Sequence, residues 1–328
     1  APDDRHGHEP RGFPLHLAWG GTDMTDAVAL LPSWREGAAR DSVVEFLAAA
    51  EVLPVEERVA CFDNDGTLWC EKPTYVQLDF FVDALQRAAA ADPSLRERAE
   101  FAAVLSGDRA AMADIGLPRV AMALAELFAG MTPEAFTKTA RDFVQGSRHR
   151  TLGRAVASLV YQPMLELIFE LRRRDFTVAL VTGGGTEFVR AISPQLYGVP
   201  PELVVGTGIG YELHRDLFGK VALRRLAALD GDANEGAAKV SHIQAHLGRR
   251  PILAAGNSGG DREMLEWASS TDGPHLALLV DHDDADREFA YVSSAETFTE
   301  PEPITDVARR LGWTVVSMRN DWSAVFPG

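Results

Sequence analysis

The chain has 328 residues and a mass of 35.6 kDa, which at roughly 100–200 residues per domain predicts about two domains. With 46% apolar and 24% charged residues, it has the composition of an ordinary globular protein with a sizeable core. The formal net charge of −16 repels nucleic-acid backbones and anionic lipid, so we predict neither nucleic acid nor a membrane as a partner. A small anionic substrate stays open, because a metal ion and one lysine can reverse the local sign. No run approaches about 18 consecutive apolar residues, which excludes a membrane-spanning helix.

The first 23 residues differ from the rest of the chain. They hold three of the nine histidines and show no apolar periodicity and no signal-peptide core. We interpret residues 1–23 as a flexible leader, because apolar content rises only from Met24. Cys61 and Cys70 are too few for a disulfide framework and fit a reducing compartment. We therefore expect a cytoplasmic protein, with an exported mature form as the alternative.

The first predicted elements are a helix and a buried strand. Helical spacing of apolar residues begins at residue 41, and a β-prone apolar run follows at residues 58–63. That run stops at a polar turn, as a buried parallel strand does at its carboxyl end. From residue 74 to about residue 174 the chain is helix-like and contains no convincing strand. Thr132 and Pro133 predict a helix start, with a cap residue followed by proline at the first helical position.

Three further apolar runs, at residues 176–181, 251–255 and 275–280, are predicted strands. Each ends in a polar turn, and helix-like segments follow at residues 187–196, 262–268 and 285–291. The acidic turn at residues 281–284 is interpreted as a helix cap, with an outer metal shell as the alternative. Residues 203–223 favour a β-hairpin at the sheet edge.

Strands that alternate with helices indicate an α/β fold with a Rossmann-like parallel sheet. Because the helical stretch interrupts this pattern after the first strand, we predict an inserted all-helical cap over residues 71–174. The α/β core then comprises residues 24–70 and 175–328. Open parallel sheets bind ligands at the carboxyl ends of their strands, so the chemistry is expected there.

Two carboxyl groups, Asp63 and Asp65, follow the first predicted strand. Asp63 is placed to act as a nucleophile or metal ligand, and Asp65 to donate or accept a proton. Gly66 allows a tight turn, which the Thr67 hydroxyl can hold by hydrogen bonding. An ordinary turn is the alternative, because Asp, Asn and Gly all favour turns.

The other strand ends carry candidate phosphate and metal ligands. Thr182 and Gly183 begin a glycine-rich segment whose hydroxyl and backbone N–H groups can bind phosphate at a helix N-terminus. Lys239 lies near a predicted helix start that faces the crevice. Asn257 and Asp261 follow the third strand and offer oxygen ligands of the kind that Mg²⁺ prefers.

In this order, the four segments resemble the motifs of the haloacid dehalogenase superfamily of phosphotransferases and phosphohydrolases. The matching stretches are Asp-Asn-Asp-Gly-Thr at 63–67, Thr-Gly at 182–183, Lys239, and Gly-Asn-Ser-Gly-Gly-Asp at 256–261. The helical insertion is similar to the cap of the phosphoserine-phosphatase-like branch. The resemblance covers the chain from about residue 31 to its end.

The resemblance implies a two-step reaction. Asp63 would attack phosphorus and form an aspartyl-phosphate. Asp65 would protonate the leaving oxygen and then activate water. Thr182, Gly183 and Lys239 would hold the phosphoryl oxygens.

The resemblance also implies a Mg²⁺ ion held by Asp63, the Asp65 backbone carbonyl, Asn257 and Asp261. The fourth motif of the family commonly begins Gly-Asp, whereas Asn257 stands in that first acidic position here. We therefore expect activity with weaker metal affinity. True dehalogenases lack the second aspartate, so Asp65 argues against dehalogenation.

Trp69 and Glu71 are candidate contacts to the substrate from the side of the cap. A glutamate there suits an ammonium-bearing substrate, although a surface charge explains it equally well. Arg148 and Arg150, near the end of the cap, instead favour an anionic substrate. These signals point in different directions and select no particular substrate.

The sequence thus predicts a Mg²⁺-dependent phosphatase that hydrolyses a small-molecule phosphate monoester through an aspartyl-phosphate. One alternative is a phosphotransferase or mutase that passes the same phosphoryl group to another acceptor. The other is a non-catalytic small-molecule-binding protein, which Asn257 keeps open. The oligomeric state is not predicted.

Overall fold

The computed structural model describes residues 30–295 and 297–328, so the predicted leader at residues 1–23 lies outside the described residues. Seven strands form one sheet: β1 (Val59–Phe62), β2 (Thr177–Gly185), β3 (Val204–Arg215), β4 (Val221–Asp230), β5 (Leu253–Gly256), β6 (Leu276–Asp281) and β7 (Thr314–Ser317). Their order is β4-β3-β2-β1-β5-β6-β7. All neighbouring pairs are parallel except β3 and β4, which are antiparallel.

The α-helices surround this sheet or lie between β1 and β2 in the chain. They are α1 (Ala38–Ala50), α2 (Val76–Ala91), α3 (Ala99–Ser106), α4 (Arg109–Ile115), α5 (Leu117–Glu126), α6 (Pro133–Gly146), α7 (Gln162–Arg173), α8 (Thr186–Leu196), α9 (Ala237–Leu247), α10 (Arg262–Ser269), α11 (Ile304–Leu311) and α12 (Met318–Asp321). Short 3₁₀ turns join several of them.

The central strands are buried because nearly every side chain in them is apolar. All four residues of β1 and all four of β5 are buried, as expected for parallel strands covered on both faces. One core cluster joins Val59 of β1 and Ala254 of β5 to Ile243 of α9, Leu265 of α10 and Val307 of α11. The carboxyl ends of these strands therefore have a rigid support.

The helices between β1 and β2 have an apolar cluster of their own. Leu85 of α2, Phe101 and Val104 of α3 and Leu124 of α5 are all buried in it. The predicted start of α6 is confirmed, because the Thr132 side chain accepts a hydrogen bond from the Ala135 N–H at 3.3 Å.

The predicted domain boundaries stay predictions. Residues Leu31–Gly328 form a single compact unit. Within it, α6 packs against α8, and α7 packs against β2.

Two strand features differ from the sequence prediction. The predicted hairpin is confirmed but is longer, since β3 and β4 continue to Asp230. The glycine segment, which the sequence predicts as a turn, is the end of β2, and this strand runs to Gly185 and pairs there with Thr207 of β3. The short strand β7 was not predicted.

The helix predicted at residues 285–291 is wrong. The carboxylate of Asp284 accepts hydrogen bonds from the backbone N–H groups of Asp286 and Arg287, both at 3.2 Å, which closes a turn instead. Arg287 then donates to the carbonyl of Trp322 at 3.0 Å and fixes the segment to the C-terminal part of the chain. Asp284 is therefore a cap residue of a turn.

The predicted α/β class with a Rossmann-like, mostly parallel sheet is confirmed. In the described part of the chain, none of the helices has the length and apolar character needed to cross a membrane.

Candidate active site

The polar groups of the first and fourth motifs meet at one edge of the sheet. Since β1 lies between β2 and β5, the loops that leave their carboxyl ends are neighbours. Asp63 follows β1 directly, and its N–H still donates to the carbonyl of Ala255 in β5 at 2.9 Å. The Asp63 carboxylate is therefore fixed at the carboxyl ends of β1 and β5.

The turn after Asp63 is held by its own backbone. Gly66 has a φ of 77°, a conformation that glycine adopts without strain. Its N–H donates to the carbonyl of Trp69 at 2.9 Å, and the N–H of Leu68 donates to the carbonyl of Asn64 at 2.9 Å. Tyr197, the residue directly after α8, donates its hydroxyl to the Asn64 side chain at 2.9 Å, which connects the turn to the end of α8.

Lys239, at the start of α9, joins the two motifs through a buried ammonium group. Its Nζ lies 2.7 Å from Oδ1 of Asp63 and 2.6 Å from Oδ1 of Asp261. It also donates to the carbonyl of Val181 at 3.0 Å. Burial lowers the pKa of Lys239, but the carboxylates of Asp261 and Asp63 raise it more, and the net shift is upward. The ammonium form is the stable one.

Asp261 uses both carboxylate oxygens inside the protein. Oδ1 accepts from Lys239, and Oδ2 accepts from the backbone N–H groups of Asn257 and Ser258, each at 3.0 Å. The residue thereby positions both the lysine and the start of the fourth motif. Burial raises the pKa of Asp63, the neighbouring Asp261 raises it further, and Lys239 opposes both.

Asp65 has the features of an acid–base group. Trp69 donates its indole N–H to Oδ1 at 2.8 Å, and Asn64 donates its amide to Oδ2 at 3.2 Å. Burial raises the pKa of Asp65 to about 6, although these two donors lower it. A carboxyl group with this pKa can exchange a proton near neutral pH.

Asn257 stands between the first motif and Glu71. Its Oδ1 accepts from the Thr67 hydroxyl at 3.2 Å, and the same hydroxyl lies 3.4 Å from Oδ2 of Asp63. Its Nδ2 lies 3.3 Å from Oε1 of Glu71, which is buried. The candidate substrate contact Trp69 is also fully buried, with its indole directed at Asp65.

The glycine segment at the end of β2 lies close to Asp65. A Cβ atom at Gly184 would lie 2.7 Å from Gln77 Oε1 and 3.9 Å from Asp65 Oδ2, so a larger residue there would displace the Gln77 side chain. The Thr182 oxygen accepts from the Gly184 N–H at 2.9 Å, which leaves its own hydroxyl hydrogen for another acceptor. Gln77 of α2 accepts from the Gly185 N–H at 2.9 Å.

Two residues that sequence reasoning missed hold this segment in place. The Asn234 amide donates to the carbonyl of Thr182 at 2.9 Å and to that of Val205 at 3.2 Å. The Thr207 hydroxyl donates to the carbonyl of Gly183 at 2.7 Å.

A buried histidine was also missed, because its segment was interpreted only as acidic. His282 lies 2.8 Å through Nε2 from the carbonyl of Gly66 and 3.3 Å through Nδ1 from Oε2 of Glu288. Tyr161 donates to the other oxygen of Glu288 at 3.0 Å. The hydrogen bond of Glu288 with His282 lowers the pKa of that carboxyl, although its burial opposes this. These hydrogen bonds among Tyr161, Glu288 and His282 therefore fix the turn of the first motif at the Gly66 carbonyl.

The site contains more buried carboxyl groups than buried cationic groups, and this excess of negative charge favours binding of a metal cation. Asp63, Asp261 and Glu71 are buried, and the buried ammonium within contact distance of the first two is Lys239. The oxygens near Asn257 come from a carboxylate, an amide and a hydroxyl, and oxygen donors of this kind suit Mg²⁺. Across residues 30–295 and 297–328, no group of three or more His, Cys, Asp or Glu side chains is arranged to hold a metal.

Comparison with known proteins identifies the family. The model of the haloacid dehalogenase-like hydrolases matches residues 60–266, which is more than half of the chain. The chain belongs to the haloacid dehalogenase-like hydrolases. This confirms the resemblance drawn from the four motifs and the prediction that the protein is an enzyme of this superfamily. No curated protein sequence is significantly similar to this hydrolase.

Several solved structures are similar to this haloacid dehalogenase-like hydrolase at low sequence identity. A protein of unknown function from Bordetella pertussis is 17% identical, with a TM-score of 0.50, over 79% of this chain and 98% of its own. A functionally unknown protein from Anaerococcus prevotii is 14% identical, with a TM-score of 0.49, over 79% and 96%. A phosphoserine phosphohydrolase-like protein from Francisella tularensis is 15% identical, with a TM-score of 0.37, over 77% and 99%.

Proposed function

We propose that this hydrolase is a phosphatase that acts on a small-molecule phosphate monoester through an aspartyl-phosphate. The observation that carries the proposal is the pair of carboxyl groups at the end of β1. Asp63 lies against Lys239 at 2.7 Å, and Asp65 has a pKa of about 6 beside the glycine segment. A fixed nucleophile and a proton carrier with a matched pKa are the groups that stepwise phosphoryl transfer requires.

In the first step, an Asp63 oxygen forms a bond to phosphorus while the bond from phosphorus to the ester oxygen breaks. Asp65 gives its proton to that leaving oxygen. In the second step, water attacks phosphorus, Asp65 accepts a proton from the water, and the bond to Asp63 breaks. Phosphate leaves, and Asp63 and Asp65 return to their starting states.

Lys239, Thr182 and Gly183 bind the phosphoryl oxygens. The Lys239 ammonium offsets their negative charge, the Thr182 hydroxyl donates a hydrogen bond, and the backbone N–H of Gly183 completes the contact. The hydrogen bonds from Asn234 and Thr207 hold this segment open to the phosphoryl group.

The metal would be Mg²⁺, held by Asp63, the backbone carbonyl of Asp65 and Asn257. Asp261 accepts from Lys239 through Oδ1 and from two backbone N–H groups through Oδ2, so it also holds the fourth motif in position beside these ligands. When bound, Mg²⁺ supplies positive charge against the phosphoryl oxygens.

Cys61 and Cys70 are free, buried thiols, which supports a cytoplasmic location.

The test is phosphate release from a panel of phosphate monoesters, with Mg²⁺ or with EDTA. We expect the Asp63→Asn variant to lose at least about 1,000-fold in kcat, because the amide cannot act as the nucleophile. The amide oxygen can still accept from Lys239, so far-UV circular dichroism should show an intact fold. Near-wild-type release by Asp63→Asn would rule out the mechanism. Addition of acceptor alcohols tests the transferase alternative through the phosphate ester that it would form.

A further inference from the structure

Glu71 is a buried carboxylate without a role in the reaction derived above. Only 4% of its surface is exposed, and burial of a carboxylate is costly unless the group serves a structural or functional purpose. Its cationic neighbour Lys72 lies 3.6 Å away and is 33% exposed, so this pair is not a tight, fully buried ion pair.

The contacts of Glu71 lead to the metal-binding side of the site. Its Oε1 accepts from Nδ2 of Asn257 at 3.3 Å, and the same amide nitrogen donates to Ser293 Oγ at 3.2 Å. The Asn257 Oδ1 accepts from the Thr67 hydroxyl, which also lies 3.4 Å from Asp63 Oδ2. Gly66 makes this arrangement possible. A Cβ atom there would lie 2.1 Å from Asn257 Nδ2 and 2.9 Å from the Glu71 carboxyl carbon.

We propose that Glu71 supplies the negative charge that Asn257 lacks as a metal ligand, while Asn257 supplies the ligand oxygen. The inference rests on the proposed function, since it concerns the cation of the same site. An amide oxygen can bind Mg²⁺ but carries no net charge. A carboxylate that accepts from the amide N–H polarises the amide and increases the negative charge on its oxygen. In other metal sites such supporting hydrogen bonds change metal affinity by roughly 10–100-fold.

This assignment differs from a contact between Glu71 and the substrate. A residue that recognises the leaving group changes KM among substrates and leaves the affinity of the free enzyme for metal unchanged. A residue that provides charge to the metal site changes that affinity without any substrate present. Metal binding by the free protein therefore separates the two roles.

The experiment measures Mg²⁺ and Mn²⁺ binding by calorimetry, and the metal-dependent rise in Tm, without substrate. The variants are Glu71→Gln and the double variant Glu71→Gln/Asn257→Asp, which moves the charge onto the ligand. The matched control is Glu134→Gln on α6, where the glutamate is exposed. Thermal unfolding in EDTA checks that each variant folds.

We expect Glu71→Gln to weaken metal binding by roughly 10–100-fold, and the double variant to recover most of that loss. Glu134→Gln should bind metal as the wild type does. Unchanged affinity in Glu71→Gln, or no recovery in the double variant, would overturn the inference. Such a result would leave the phosphatase proposal intact as long as the wild type releases phosphate in an Asp63-dependent manner. Failure of phosphate release on the whole panel would instead count against the proposed function.

Discussion

The two halves of the candidate active site contain different kinds of chemical groups. On the side of β1 and β5, the groups are charged, buried and linked to one another through Lys239. On the side of β2, the glycine segment is uncharged and is held by the Asn234 amide and the Thr207 hydroxyl. Charged groups with buried partners affect both folding and chemistry, whereas neutral hydrogen bonds to backbone mainly fix geometry. Substitutions on the first half should therefore change stability and turnover together, and those on the second should mainly change KM.

The largest effect is expected for Lys239→Met. This change leaves Asp63 and Asp261 buried without their cation, and the loss of one partner of a buried ion pair typically costs about 3–5 kcal/mol of unfolding free energy. Urea unfolding measures that loss, and phosphate release should fall in parallel. Lys220→Met, at an exposed site beside the β3–β4 turn, is the control and should unfold as the wild type does. Equal stability of the two variants would contradict the view that Lys239 holds the charged half together.

A smaller effect, of a different kind, is expected for Asn234→Ala. The variant removes the donor to the Thr182 carbonyl and leaves that buried group unpaired, at a cost of roughly 1–3 kcal/mol. We expect KM for the preferred phosphate ester to rise about tenfold, with kcat changed less than about threefold. Thr207→Val should act in the same direction through the Gly183 carbonyl. A fall in kcat without a rise in KM would contradict the prediction that substitutions on the β2 side mainly change KM.

The smallest effect is a shift in pH dependence. Trp69 donates to the ionised form of Asp65, so Trp69→Phe should raise the pKa of Asp65 further above about 6. The limb of the kcat profile that follows Asp65 then moves to higher pH, by roughly one unit or less. Trp34→Phe is a matched control, because Trp34 donates its indole N–H to the carbonyl of Pro163 elsewhere in the fold. An unchanged limb in Trp69→Phe would show that the Trp69 hydrogen bond does not influence the pKa of Asp65.

The sequence revealed the strand ends but not the side chains that support them. Asp63 and Asn257 were found because each follows a short apolar run, a signal contained within a few residues. Gln77 contacts a residue 108 positions away, and His282 contacts one 216 positions away, and no local pattern reports such pairs. The loop at residues 285–291 was mistaken for a helix because its folding depends on a distant anchor, the contact between Arg287 and the C-terminal segment.

The contact between Gln77 and Gly185 joins the first turn of α2 to the same backbone that we propose as the phosphoryl-binding segment. A ligand on the glycine segment and the position of α2 are therefore thermodynamically linked, and the linkage is reciprocal. If phosphate binding stabilises the position of α2 by some free energy, then fixing α2 in that position strengthens phosphate binding by the same free energy. In the proposed mechanism, α2 therefore influences phosphate affinity in the way that a second bound ligand would.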